Sequence, residues 1–469
     1  MLLWLRWWEV VAQLRSAFTR KRTFLWFALC LVGMSIRPDL RGVTSIVRAL
    51  GLKDFFYDRL LDFFHSTAVR VDTLAALWCQ VIMAVLPAAL LPRVNGRPVF
   101  IGDGIKKAKT GRKMPAVKKL HQESANNTKP EFIYGHSCQA IALLVGCAKS
   151  FFALPLTCRI HEGLVFSNRE TKSLLDKMVD LVRSLAIATP FYLVLDAYYA
   201  SKVIVRGLIE NGAHLVTHVR ANAVAYRPAA PSSEKRRGPK RKYGDKIKLK
   251  TLFEDRTCFS EAPSPVYGEN GISIWYRSLD LLWRPVGILV RFVLVIHPER
   301  GSKIFMSTDL SLLPLDIIGI YGFRFKIEVS FKQALYTIGA YAYHFWMAMM
   351  TPRPNKSGNQ YLHRKSEKYR ASARRKIHAY HCHMQLGFIA QGMLHYLSLT
   401  CTKIVWGAFG SWLRTIREGI YPSEQITALA LRNMIPELLV NAPDEQILVN
   451  FIRDKIDLDR QEGAKLLAA

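Results

Sequence analysis

Paired cysteines are missing from this 469-residue chain, and acids are scarce. Its eight cysteines stand at 30, 79, 138, 147, 158, 258, 382 and 401, with no CxxC pair among them. That spacing argues against a disulfide framework and a zinc ribbon, and it fits a reducing cytosol. Thirty-six acidic residues face 66 basic ones, a formal net charge of +30. Such an excess favours a polyanionic partner, either nucleic acid or an anionic membrane surface. A bilayer-spanning run is also lacking. Residues 23–36 are too short, and 73–91 contain Gln80 and Pro87 and read as a buried core helix. The opening stretch places Arg6, Glu9 and Arg15 within any apolar core, so it does not read as a signal peptide. With half its residues hydrophobic and 22% charged, the composition is globular. The length suits about two to four structural units.

What is present begins with helices over 1–95. Within them, 42–64 reads as two helices around Gly51, compatible with a helix-turn-helix. The pattern then changes. RPVFIGDGI (97–105) predicts a buried strand that ends in an acid between two glycines, leaving room around Asp103 for a metal ion or a phosphate. A basic loop follows, with Lys106, Lys107, Lys109, Arg112 and Lys113, then Lys118 and Lys119. Residues 137–145 and 151–156 predict an antiparallel pair, and 171–188 a helix. FYLVLDAYYAS (191–201) is a second buried strand ending in an acid, Asp196, followed by a helix over 201–211 and a strand over 214–219.

Three strands, a helix, a strand, a helix and a strand are the order of an RNase H-like core. In that α/β fold the first and fourth strands lie side by side, bringing Asp103 next to Asp196. Like charges so placed repel unless a divalent cation lies between them.

Residues 223–310 predict a β-rich insertion. It opens with a tract, 235–250, of nine basic residues against the single acid Asp245. Such a density suits phosphate contact, and Arg236, Arg237, Lys240, Arg241 and Lys242 are the DNA-binding candidates. Trp275 and Trp283 in the following strands are candidate base-stacking platforms as well as sheet-packing residues. Residues 312–320 predict a short helix and 320–347 a longer one, with Arg324, Glu328 and Lys332 on one stripe. The tail over 351–383 is again basic and suits DNA. His378, His381, Cys382 and His383 within it read as structural, because adjacent helical residues do not share a direction. The resulting division is a helical DNA-binding region over 1–95, the RNase H-like core in two parts over 96–222 and 312–383, the insertion over 223–311, and a helical C-terminal region over 384–469 suited to dimerisation.

The GDG at 102–104, LDAYYAS at 195–201, and STDL with IYGFRFKIE between 307 and 328 together resemble the DDE transposases of bacterial insertion sequences. They are most similar to the cut-and-paste group with a β-rich insertion. That group's signature places Tyr, Arg, Glu and Lys at set intervals. Tyr321, Arg324 and Glu328 match, while Leu335 stands at the lysine position and Lys332 one turn earlier.

The resemblance implies that Asp103, Asp196 and Glu328 are the catalytic and metal-holding acids for two Mg²⁺ ions, with Mn²⁺ as substitute. It implies that Tyr321, Arg324 and Lys332 hold DNA phosphates. It further implies cleavage at the element's ends, transfer of the 3′-hydroxyls into target duplex DNA, a homodimer in the DNA complex, no membrane, and a cytoplasmic, nucleoid-associated place in a bacterial cell. The rival expectation is a catalytically silent DNA-binding regulator of transposition.

Overall fold

The computed structural model of the chain describes all residues except 41, 123–129, 149, 231–240, 411–414, 418, 444–445 and 460–469. Helices α1 (Leu2–Ala12), α2 (Lys21–Ile36), α3 (Val43–Ala49), α4 (Phe56–His65) and α5 (Val71–Val85) open it. From Phe24 to Ile36 every residue of α2 is buried. A helix that is apolar all round belongs inside a large core or a bilayer, and here a protein core takes it. Among the described residues no helix is long and apolar enough to cross a membrane. Helices α3 and α4 flank Gly51, whose φ of 59° makes the bend. The open side of α4 carries Asp58, Arg59 and Asp62, and Arg48 on α3 and Lys53 between the helices are exposed as well.

β1 (Arg93–Val94) and β2 (Arg97–Ala108) form a hairpin over Asn95 and Gly96, both at positive φ, as an Asn-Gly turn favours. β3 (Lys118–His121), β4 (Phe132–Cys147) and β5 (Ser150–Ile160) follow, with β4 pairing antiparallel to β2, β3 and β5. After β6 (Leu164–Val165), a Ser173–Asp176 capping box starts α6 (Leu174–Ser184). β7 (Tyr192–Leu195) lies parallel to β2, and α7 (Lys202–Ile209) leads to β8 (His214–Val219), parallel to β7. The order β5-β4-β2-β7-β8 is the RNase H-like order, with the first and fourth strands adjacent.

β2 differs from its expected form. It does not stop at the glycines but runs on to Ala108, because β4 pairs with it from Phe100 to Ala108 while β7 leaves it at Ile101. Asp103 is therefore mid-strand on one side and at an open edge on the other.

The β-rich segment holds β9 (Val224–Pro228), β10 (Tyr243–Lys248), β11 (Ser260–Pro263), β12 (Ser273–Trp283), β13 (Ile288–His297) and β14 (Gly301–Ser307). It does not stand apart from the core. β14 pairs with β8 from Val216 to Val219, so one sheet of thirteen described strands runs from β10 to β3.

The single helix expected over 320–347 is broken. α8 (Pro314–Gly322) gives way to α9 (Phe325–Gln333), and a π turn over Ala334–Ile338 ends at Gly339, φ 68°. The aromatic run beyond it is drawn out of helix by packing: Tyr341 meets Phe388, and Phe345 meets Tyr380. Both partners lie on α10 (Glu367–Thr400), which follows β15 (Gln360–Tyr361), the parallel partner of β6. The division expected at 383/384 falls inside α10, which is one continuous helix. α11 (Thr402–Phe409), α12 (Glu424–Asn433), α13 (Ile435–Asn441) and α14 (Ile447–Arg453) complete the described chain.

α10 closes the outer edge of β5 with side chains. Gln385 donates to the Leu156 carbonyl at 2.7 Å, and the Ile160 N–H donates to His381 Nε2 at 3.0 Å. An edge so covered cannot template pairing with another chain. Burial holds the His381 pKa well below its ordinary value, keeping the ring neutral as an acceptor must be. His383 bonds the Ala340 carbonyl and His378 that of Ser66, both at 2.9 Å. These histidines are structural.

Candidate active site

β2 and β7 run in register as far as Ile101 and Val194. Asp103 and Asp196 stand two residues further along each chain, so strand alternation puts both on one face at neighbouring positions. The glycines make this possible. A Cβ on Gly102 would come within 2.7 Å of Leu195 Cδ2, so a side chain there would have to displace the leucine's tip. Asp196 caps the 3₁₀ turn Ala197–Tyr199, accepting from the Tyr198 N–H at 3.1 Å. Asp103 accepts from the Gly104 N–H at 2.7 Å.

α9 supplies the third acid and a base. Arg324, at its N-cap, donates from Nη1 to Asp103 Oδ2 at 2.8 Å and from Nη2 to Glu328 Oε1 at 2.5 Å. Tyr321, in the last turn of α8, packs its ring on Phe305 and His218, with centroids at 4.8 and 6.4 Å. The groups feel one another electrically. Burial lifts Asp103 to about 6, Arg324 pulls against it, and Asp196 and Glu328 add to the rise. Burial likewise pushes the Tyr321 hydroxyl up to about 12, again opposed by Arg324 and reinforced by the acids.

The remaining expected site residues are placed less centrally. Lys332 is exposed on the last turn of α9, and Leu335, at the signature's lysine position, is half-buried in the π turn. Arg241 and Lys242 lead into β10, seven strand steps from β2, about 34 Å at ~4.8 Å per step. Arg236, Arg237 and Lys240 lie outside the described residues. Asp309, the acid of the STDL stretch, is structural: it pairs with Arg97 and accepts from the Tyr192 hydroxyl at 2.6 Å, at the opposite end of the sheet from Asp103.

The two tryptophans named as base-stacking candidates lie in different surroundings. Trp283 is a core residue, 7% exposed, whereas Trp275 is 38% exposed. The registers linking β8, β14, β13 and β12 put both on the sheet face opposite the two aspartates, with Trp283 at the far end. Urea unfolding of Trp283→Ala will therefore show a loss of about 3–5 kcal/mol, against about 1 kcal/mol or less for Trp275→Ala.

Two neighbours escaped notice in the sequence. His218 is two residues beyond Val216 on β8, on the same face as the acids. Tyr198 is exposed beside Asp196. A polar residue near the end of a third parallel strand, and the tyrosine inside LDAYYAS, were the available signals.

Among the described residues, no group of three or more His, Cys, Asp or Glu side chains is placed to share a metal ion. Arg324 stands between Asp103 and Glu328. Asp103 and Asp196 nonetheless suit a hard divalent cation: they are oxygen donors on neighbouring strands, and burial makes a lone negative charge there unfavourable.

No curated protein matches the chain. A solved structure of the piggyBac transposase synaptic complex with hairpin DNA is similar over 93% of this chain and 76% of that one, at 12% identity and a TM-score of 0.36. The sequence profile of a family described as DDE superfamily endonuclease matches residues 13–262, more than half the chain and inclusive of Asp103 and Asp196. With the two aspartates at neighbouring positions on adjacent strands inside the matched region, the chain belongs to the DDE superfamily of endonucleases.

Proposed function

We propose that this endonuclease is a transposase that cleaves the ends of its own insertion sequence and joins the freed 3′-hydroxyls to target DNA, acting as a homodimer on two ends. The observation that carries the reading is the meeting of Asp103 and Asp196 on one sheet face, with α9 bringing Glu328 over through Arg324. Asp103 and Asp196 would hold Mg²⁺ or Mn²⁺ between them, with Glu328 completing the set. The bound cations supply Lewis-acid activation of water or a 3′-hydroxyl and stabilisation of the leaving oxygen.

The protein's own part is positioning. Arg324 presents a planar guanidinium suited to bidentate contact with a phosphate. Tyr321, held against Phe305 and His218, offers a hydroxyl that remains protonated at neutral pH and so donates. Lys332 adds a cation on the exposed side of α9.

The test is labelled DNA carrying the element's own ends, incubated with Mg²⁺ or EDTA, for wild type and Asp196→Ala. Mg²⁺-dependent nicking at the end, reduced about a thousandfold in the variant with binding kept, is the expected result. Binding without cleavage by the wild type would replace this reading with that of a regulator.

A further inference from the structure

Past Asp103, β2 leads into a basic surface that is assembled from two distant parts of the chain. Residues 104–122 contain seven basic residues and no acid, and 345–376 contain nine basic residues and one acid, Glu367. The backbone joins them. The N–H groups of Met347, Arg353 and Lys119 donate to the carbonyls of Lys113, Arg112 and Ser357 at 3.0, 3.0 and 2.8 Å. Gln360 adds side-chain bonds to the carbonyls of Met114 and Val117.

Little on this surface offsets the charge. Glu367 is engaged by Arg370 and Arg374, and Glu162 by Lys118. Lys106, Arg112, Lys119, Lys356, Lys365 and Lys368 are exposed. The second segment is also incompletely bonded: Arg353 Nε, Asn359 Oδ1 and His363 Nδ1 are buried without a hydrogen-bond partner. Buried polar atoms are nearly always paired in a finished fold, so a contact that reorders this segment can satisfy them.

We propose that this two-part surface binds the phosphate backbone of duplex DNA beside the cleaved bond, within one helical turn of it. The proposal rests on the endonuclease reading above and names where that site's substrate continues. Lys107 shares Asp103's face four residues along the same strand, about 13 Å away. Lys119 on β3 lies two strand steps to the side and about six residues further along, ~22 Å from Asp103 in all. Both distances fall inside one turn of duplex, about 34 Å. Arg241 and Lys242 lie across the sheet in the other direction and form no part of this surface.

The experiment measures binding of the full-length protein, without divalent metal, to a duplex carrying the element's own end, as a function of salt. The triple variant Arg112→Gln/Lys365→Gln/Lys368→Gln removes three exposed charges, and its thermal melt verifies folding. The control is Lys403→Gln/Arg417→Gln in the C-terminal helical region, where both residues are exposed. The triple variant is expected to bind at least tenfold more weakly, with a salt slope lower by about 3 at ~0.9 per phosphate contact. Its hydroxyl-radical footprint should lose protection only within about ten base pairs of the cleaved bond. An unchanged slope, an equal fall in the control, or protection lost elsewhere overturns the proposal. So does equal affinity and slope for duplex RNA, which would make RNA the partner. Cleavage with Mg²⁺ is read separately: absence of nicking with the slope result intact removes the transposase reading and leaves the surface standing.

Discussion

Asp103→Asn abolishes divalent-dependent cleavage, by about a thousandfold or more, and at the same time stabilises the metal-free protein at pH 8. The two effects share one cause. Burial lifts the Asp103 carboxyl to about 6, against an ordinary 3.8, and Arg324 only partly opposes it. Because the folded-state value is the higher one, the folded protein binds more protons between these two values than the unfolded chain does. The stability associated with the neutral carboxyl is fully present below about 3.8 and is lost as pH rises through about 6.

At pH 8 the wild type thus carries a desolvated charge that asparagine lacks. A shift of two units corresponds to about 3 kcal/mol at most. Since Arg324 loses a partner in the variant, a net gain of about 1 kcal/mol is the expected size. Scanning calorimetry of wild type and variant at pH 4 and pH 8 checks it. The variant's advantage should appear at pH 8 and vanish at pH 4; an equal difference at both would exclude the buried charge as its source. Loss of activity with gain of stability is what a site strained for function predicts.

Arg324→Gln moves metal binding and catalysis in opposite directions. In the free protein the guanidinium bridges Asp103 and Glu328 at 2.8 and 2.5 Å, and both acids are partly neutralised by it. A cation competes with that ion pair for the same oxygens. With Arg324 removed, Mn²⁺ should bind the DNA-free protein about tenfold more tightly, as a tenfold change needs only about 1.4 kcal/mol and a buried charge-assisted pair is worth that much. Cleavage should fall about a hundredfold or more, because a phosphate loses its bidentate donor. In the wild type, DNA should itself tighten Mn²⁺ binding by drawing the guanidinium to phosphate, and in the variant it should not. Paramagnetic resonance of Mn²⁺ with and without an uncleavable duplex reads all of this directly. Weaker Mn²⁺ binding in Arg324→Gln would mean that the arginine holds the acids in place rather than competing for them.

By itself the sequence determined the strand and helix order of the core, since period-two and helical apolar patterns do not depend on distant partners. It also determined the two strand acids and the large basic excess, which are matters of composition and local pattern. The tertiary structure decided the rest. The end of β2 depends on β4 pairing beyond the glycines, and the break after Gln333 depends on α10 pulling Tyr341 and Phe345 into the core. Whether Trp275 or Trp283 faces solvent depends on sheet register across four strands, which no single segment encodes. Arg324, legible as one of a charged stripe, became the partner of Asp103 only when α9 was laid across the sheet. The joining of 104–122 to 345–376 is likewise invisible in the chain, because backbone hydrogen bonds between distant segments leave no mark on the side-chain pattern.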